Sequence, residues 1–370
     1  MSNNNYLGLY IHVPFCEKKC PYCNFYSVQN SEELQNKYIN IIIQELQKFG
    51  ANTNKIIDTI YFGGGTPSLL KPEKIYKIIN NINKNFSILN PEITIEINPA
   101  DYNYSDFEIL KSIGINRVSV GAQSLNNNNL ITLQRRHNTE HILNTYYNII
   151  KSGIKNISFD FIIGLLGQNF QDLDNIINFC KNNYLAHISV YLLKIEKNTK
   201  FFDNQNIKNF ADQDICSDFY IYISENLKKI GYDHYEISNF ARDNMYSKHN
   251  LKYWNLDEYI GIGPSAHSFF NNKRFYYKNN LNNFLENPEI IYDSDSCNTP
   301  DEYIMLKLRL KSGVSNQEFQ KKFNMNIPDK YFSNLKKYEN LGLVNYTKNK
   351  ISLTNRGFLL SNTIISDIIL

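Results

Sequence analysis

No stretch of this chain approaches the roughly 18 consecutive apolar residues that a membrane-spanning helix needs, so no helical membrane anchor is expected. The opening residues MSNNNYLGLYIHVPF lack the basic stretch and long apolar stretch of a secretion signal, which makes a cytoplasmic location the expectation. Excess charge is missing too. With 39 Lys and Arg against 36 Asp and Glu, the net of +3 is too small to imply a nucleic-acid or membrane partner. There is no phosphate-binding G-x-x-x-x-G-K-S/T loop, so nucleotide hydrolysis has no support. No fixed-period repeat points to a solenoid or propeller. Disorder is excluded by what is present: 42% hydrophobic and 14% aromatic residues in a chain of 370 suffice for a sizeable core.

Paired cysteines are not expected either. Three of the six fall within eight residues near the N-terminus, and without a secretion signal such crowding reads as metal binding. Cys180, Cys216 and Cys297 are isolated; Cys180, on an amphipathic stretch, is expected to be a small buried hydrophobe. The abundance of Asn, Lys, Ile and Tyr looks like compositional drift, and NNNNL (126–130) is expected to be such drift on a surface turn.

Short β-rich runs alternate with helical patterns through the first 230 residues. Strands are expected at Gly8–Val13, Thr59–Phe62, Ile93–Ile97, Arg117–Val120, Ile157–Ile163 and Ile188–Leu193. Helices are expected at Glu32–Phe49, Pro72–Asn85, Thr139–Ser152, Gln171–Asn183 and Asp212–Ile230, several stopped by Gly50, Gly153 and Gly231. Such alternation implies right-handed βαβ crossovers and a parallel sheet. Six units suit an α/β fold built as a partial (β/α)6 barrel, short of the complete eight-stranded form. The expected division is a barrel over 1–235, an aromatic connecting segment over 236–295, and a C-terminal helical, winged-helix-like domain over 296–370. The last of these is read as helices at 302–311, 315–323 and 328–341, then a hairpin of Leu343–Thr347 and Lys350–Leu353.

Chemistry concentrates at the strand ends. After the first strand comes Cys16-Glu17-Lys18-Lys19-Cys20-Pro21-Tyr22-Cys23, a C-x3-C-x2-C loop. Three thiolates can hold three irons of a [4Fe–4S] cubane and leave the fourth open. Zinc would want a fourth protein ligand; the nearest, His12, lies within the strand. After the second strand comes Gly63-Gly64-Gly65-Thr66-Pro67, whose glycines let the backbone approach a ligand closely, although the same run also suits a tight βα turn. Glu96, Gln123 and Asp160 sit near later strand ends. A lone acid there is often a helix cap, but barrel active sites lie on this face, so the row reads as a pocket for a polar, nucleoside-sized ligand.

These motifs, YIHVPFC…C…C, GGGTP, EINP, SVGAQS, LQRRH and DFIIGL, resemble the HemN-like branch of the radical S-adenosylmethionine (SAM) superfamily over essentially the whole chain. That branch includes oxygen-independent coproporphyrinogen III dehydrogenase and HemW-type haem chaperones. The resemblance implies a [4Fe–4S] cluster on Cys16, Cys20 and Cys23, with SAM chelating the open iron. Tyr10 and Tyr22 would flank SAM, while Gly63, Gly64, Gly65, Thr66, Glu96, Gln123, Arg135 and Asp160 would contact its amino, carboxylate and ribose groups. The usual G-L-P-G-Q appears with Leu166 in place of Pro.

Three features favour the chaperone side. The dehydrogenase has a further cysteine two after the third, where this chain has Phe25. It also has a longer N-terminal extension, whereas nine residues precede Tyr10 here. Finally, His249-Asn250-Leu251-Lys252-Tyr253-Trp254 is similar to the HNxxYW haem motif of the chaperones. His249 is the implied iron ligand, with Asn250, Tyr253 and Trp254 beside the macrocycle. Many relatives carry a cysteine two before this histidine; Ser247 stands here, so the resemblance does not extend to covalent haem attachment through that position. Read without the resemblance, the same residues are a structural histidine and two core aromatics. His267 is expected to be a core residue.

The expected function is haem binding and transfer to an acceptor protein, with an electron donor for the cluster and a homodimer allowed. The alternative is a dehydrogenase that decarboxylates coproporphyrinogen III. A third reading, a nucleic-acid modifier, rests on eleven Lys and Arg against six Asp and Glu in residues 301–370; such modules also serve as packing domains, and no nucleic-acid partner is expected.

Overall fold

The computed structural model describes residues 5–204, 213–293 and 297–370. Six strands and six helices alternate in order: β1 Tyr6–Val13, α1 Glu32–Gly50, β2 Ile56–Gly64, α2 Pro72–Asn85, β3 Ser87–Ile97, α3 Tyr104–Ser112, β4 Arg117–Gln123, α4 Thr139–Ser152, β5 Asn156–Ile163, α5 Phe170–Asn182, β6 His187–Leu192 and α6 Gln213–Lys229. Six smaller strands follow: β7 Asp233–His234, β8 Asn239–Ala241, β9 Tyr259–Ile262, β10 His267–Phe270, β11 Lys273–Tyr277 and β12 Ile290–Tyr292. The sheet runs β12-β11-β10-β9-β1-β2-β3-β4-β5-β6-β8-β7. Pairing is parallel from β9 through β6 and antiparallel outside that stretch. A linear order leaves the barrel open, and β9 adds a seventh parallel strand to the six expected.

Strand period explains both faces. In β1, Leu7, Leu9, Ile11 and Val13 are fully buried, while Gly8, Tyr10 and His12 alternate with them and meet groups on the inner face. The inner face is polar along much of its length: Thr59, Glu92, Thr94, Arg117, Ser119, Ser158, His187 and Ser189 are all buried. An interior of that kind must satisfy its hydrogen bonds locally or meet a ligand.

Residues 236–295, read as a connecting segment, carry β8, which pairs with β6, and β9 to β12, which extend the sheet past β1. They also carry α7, Lys248–Trp254. Beyond them, helices Pro300–Lys307 and Asn316–Phe323 precede a three-stranded sheet in which Val314–Ser315 joins the hairpin of Val344–Thr347 and Lys350–Leu353. Two closing helices, Asn355–Leu359 and Ser361–Ile369, have no counterpart in the sequence reading. Of the expected helix Asp212–Ile230, Asp212 lies outside the described residues.

Several local expectations change. Gly153 does stop α4 in the left-handed region, but Gly50 belongs to α1 itself. A Cβ there would sit 2.6 Å from the Asn85 carbonyl oxygen, so its role is close approach to the end of α2. The asparagines of 126–130 are not idle surface drift. Asn126 caps the short helix Asn127–Thr132 and donates to Asp172, and buried Asn129 donates to Ser124. Asn103, Asn138 and Asn169 each form a capping box at the start of α3, α4 and α5. His267 is exposed and stacks on Tyr276; strand alternation turns its neighbours Ser268 and Phe269 inward instead.

Candidate functional site

At the C-terminal ends of the parallel strands lies a cavity of about 520 Å³. Cys16, Cys20 and Cys23 all line it, together with Tyr22, Gly64, Gly65, Thr66, Glu96, Gln123, Arg135 and Asp160. Residues separated by up to 144 positions in the chain are thus gathered by strand ends and the loops that follow them. Tyr10 and Gly63 pack immediately behind this lining. The motif residues His249, Asn250, Tyr253 and Trp254 do not line it.

The cysteine loop is held from below. A His12 Nε2–H donates to the Tyr26 carbonyl at 3.2 Å, which leaves Nδ1 to accept from the Tyr10 hydroxyl at 3.0 Å. Burial keeps this imidazole neutral, with a pKa lowered to about 4. Tyr38 donates to the His12 carbonyl at 2.7 Å, and the Leu281 amide donates to Tyr26 Oη at 2.7 Å. The loop is therefore pinned on both sides, while its three thiols stay half-exposed and outside any disulfide. Among the described residues, no three His, Cys, Asp or Glu side chains converge tightly enough for one metal ion.

The triple glycine has a steric cause. A Cβ on Gly63 would meet Tyr61, Tyr10 and Glu96 within 3.2 Å; one on Gly64 would sit 2.7 Å from the His12 ring; one on Gly65 would sit 2.7 Å from the Phe15 carbonyl oxygen. Gly64 also holds φ at 110°, a region costly for any other residue. The Gly64 amide donates to Glu96 at 3.3 Å and the Gly65 amide to the Val13 carbonyl at 2.8 Å. Two of the loop's N–H groups are thus already used.

Charge is arranged along the cavity wall. Arg135 reaches from the LQRRH segment: Nη1 donates to Cys20 Sγ at 3.2 Å and to Tyr22 Oη at 3.4 Å, while Nη2 donates to the Gly121 carbonyl at 3.1 Å and to Asn98. Its Nε is buried with no hydrogen-bond partner. Cys16 Sγ lies 3.4 Å from Thr66 Oγ1. Asp160 accepts from Ser189 at 2.6 Å, from Ser119 at 3.0 Å and from Ser158 at 3.3 Å; burial still raises its pKa. Arg117 is buried deeper in the barrel, where Glu92 and, more weakly, Asp160 hold it charged against the pull of burial.

Glu96 accepts from Tyr61 Oη at 2.7 Å. Burial, reinforced by the Asp160 charge, lifts its pKa from 4.5 to about 7, although the Tyr61 bond opposes the rise. The sign follows from linkage: the folded state holds this proton more tightly than the unfolded chain. Glu96 therefore costs stability as pH rises from about 4.5 to about 7, and the full cost stands above that window. Glu96→Gln is expected to raise Tm at pH 8 while leaving it nearly unchanged at pH 5. Thermal melts of both proteins across that range are the check; an equal shift at both pH values would contradict the assignment.

Sequence reasoning missed Asn98, Ser119, Gly121, Tyr191, Arg136 and His137, which also line the cavity. Asn98 follows Glu96 by two in EINP, and Ser119 and Gly121 precede Gln123 by even steps in SVGAQS. Strand period alone could have placed these three on the inner face.

The sequence patterns of the Radical SAM superfamily and of the HemN C-terminal domain match residues 10–180 and 299–360. A heme chaperone HemW of Lactococcus lactis is 30% identical over 98% of this chain and 97% of its own length. A heme chaperone HemW of Buchnera aphidicola is 36% identical over 88% of each. The solved coproporphyrinogen III oxidase (HemN) of Escherichia coli shares the fold, with a TM-score of 0.82 at 20% identity, covering 98% of this chain and 90% of that one. On the strength of relatives that match it almost end to end, the chain belongs to the HemW family of heme chaperones within the radical SAM superfamily.

Proposed function

We propose that this protein binds haem and hands it to an acceptor protein, and that its barrel cavity takes a [4Fe–4S] cluster on Cys16, Cys20 and Cys23 with an exchangeable SAM beside it. The observation that carries the cavity reading is the gathering of three unpaired thiols and the motif residues around one volume of about 520 Å³. A spread of thiols that suits no single ion suits a cubane, whose irons are gripped one thiolate each. When bound, such a cluster supplies one-electron chemistry and an open coordination position.

The chain's own residues complement SAM group by group. Arg135, with its unpartnered buried Nε, suits a carboxylate. An ammonium group needs acceptors, and Glu96 offers a carboxylate where the neighbouring glycine amides are already used. Asp160, cradled by three serines, is an acceptor suited to ribose hydroxyls, and Gln123 lines the same cavity. Tyr22 and the Gly64-to-Thr66 turn close the sides, and Tyr10 and Gly63 back Glu96. No described helix is long and apolar enough to cross a membrane.

Haem binding follows from the relatives' shared name and near end-to-end similarity. Its test is anaerobic reconstitution with iron and sulfide, then haem titration by the Soret band, alongside incubation with SAM, a reductant and coproporphyrinogen III. Stoichiometric haem uptake without decarboxylated product is expected. Turnover of coproporphyrinogen without specific haem binding would replace this reading with that of a dehydrogenase.

A further inference from the structure

The HNxxYW segment, expected to offer an iron ligand, is instead folded into the barrel. His249 has no solvent exposure. Both of its ring nitrogens are engaged, Nδ1 with Thr59 Oγ1 at 2.8 Å and Nε2 with Tyr253 Oη at 2.9 Å. The His249 amide donates to the Glu92 carboxylate at 3.2 Å, and Lys252, one turn on in α7, is paired with Asp58 at 2.7 Å. An iron ligand needs a free ring nitrogen and room for a flat macrocycle beside it. Neither is present.

The receptacle for this side chain is built into β1. A Cβ on Gly8 would sit 3.2 Å from His249 Cε1, 2.8 Å from the Lys252 side chain and 2.9 Å from Thr59 Oγ1. Gly8 therefore makes room for α7. Above the His249 ring lie Tyr61, with centroids 5.2 Å apart, and Tyr10, at 6.4 Å. Tyr61 in turn donates to Glu96, and Gly63 is squeezed between Tyr61, Tyr10 and Glu96. A continuous packed column thus runs from α7 to the cavity wall. Thr59 precedes Gly63 by four residues, about 13 Å along the strand, so the column spans much of the barrel's depth.

We propose that His249 and Tyr253 are positioning residues of the cavity: they support Tyr61 and Tyr10 from beneath, so that Tyr61 holds Glu96 in place for the amino group of SAM, and haem iron takes its ligand elsewhere. The inference rests on the cluster-and-SAM reading of the cavity. Burial, with the charges of Lys252 and Arg117, lowers the His249 pKa to about 3, so the ring is a neutral hydrogen-bonding wedge throughout the working range.

The test compares wild type with His249→Ala, Thr59→Val and Gly8→Ala in the anaerobically reconstituted full chain. Two quantities are read: the haem dissociation constant with its Soret maximum, and the SAM dissociation constant by calorimetry. Thr59→Val removes one hydrogen bond at nearly constant shape, so it reports even if His249→Ala fails to fold. Each variant is expected to weaken SAM binding by roughly fivefold or more, the worth of one modest interaction. Haem affinity and the Soret maximum should stay unchanged. Loss of haem affinity or a moved Soret band in Thr59→Val or His249→Ala, with SAM binding intact, would restore His249 as the iron ligand and overturn the proposal. A wild-type protein that binds no SAM would remove the cavity reading itself, and this inference with it.

Discussion

Replacing any one of Cys16, Cys20 or Cys23 with Ser is expected to abolish stable cluster incorporation, leaving a folded but colourless protein. A hydroxyl is a far weaker iron ligand than a thiolate, and two thiolates leave two irons open to solvent. The fold should survive, because all three side chains reach into a cavity and out of the core, while the loop is anchored by His12, Tyr26 and Tyr38. Iron and sulfide analysis with circular dichroism separates these effects. Cys180→Ser, Cys216→Ser and Cys297→Ser should each retain full iron, since none of these lines the cavity. Normal iron content in Cys16→Ser, or loss in Cys297→Ser, would put the cluster elsewhere.

Gly64→Ala is expected to destabilise the protein by ~3 kcal/mol, combining the strain of a non-glycine residue at this φ with a forced shift of packed groups. Its φ is 110°, and the added Cβ would sit 2.7 Å from the His12 ring. The consequence reaches beyond stability. His12 cannot move without loosening its bond to the Tyr26 carbonyl, and that bond pins the exit of the cysteine loop. Denaturant unfolding should show the loss, and chelator challenge should strip iron from the variant faster than from wild type. Gly167→Ala is the matched control: its φ of 74° is also positive, but nothing lies within 4 Å of the added Cβ, so strain alone applies. If the two variants lose stability equally and hold iron equally well, the His12 contact has no special role.

The barrel was legible because its outer face obeys simple rules. Leu7, Leu9, Ile11 and Val13 alternate with polar or small residues, and the amphipathic α2 presents Ile75, Ile78, Ile79 and Ile82 to the sheet. The cavity was legible wherever a motif ended a strand, as with Cys16, Gly64, Glu96 and Asp160. Three things were hidden. Helix α3 follows its cap Asn103, and Asn favours both caps and turns. The short strands β9 to β12 carry too few residues to show a period, so their place beside β1 emerges only from tertiary pairing. His249 reads the same in sequence whether it binds iron or fills a core. The room for its imidazole is made by Gly8, distant by 241 positions, whose missing side chain no local pattern links to it.

The most direct measurement is electron paramagnetic resonance of the reconstituted, reduced wild-type protein before and after SAM is added. If Cys16, Cys20 and Cys23 hold the cluster in the cavity that Arg135, Glu96 and Asp160 also line, the reduced protein should give a [4Fe–4S]⁺ signal whose g-values shift on SAM addition. A signal that SAM leaves untouched, in a protein that still takes up haem, would show that this cavity does not do what its residues imply.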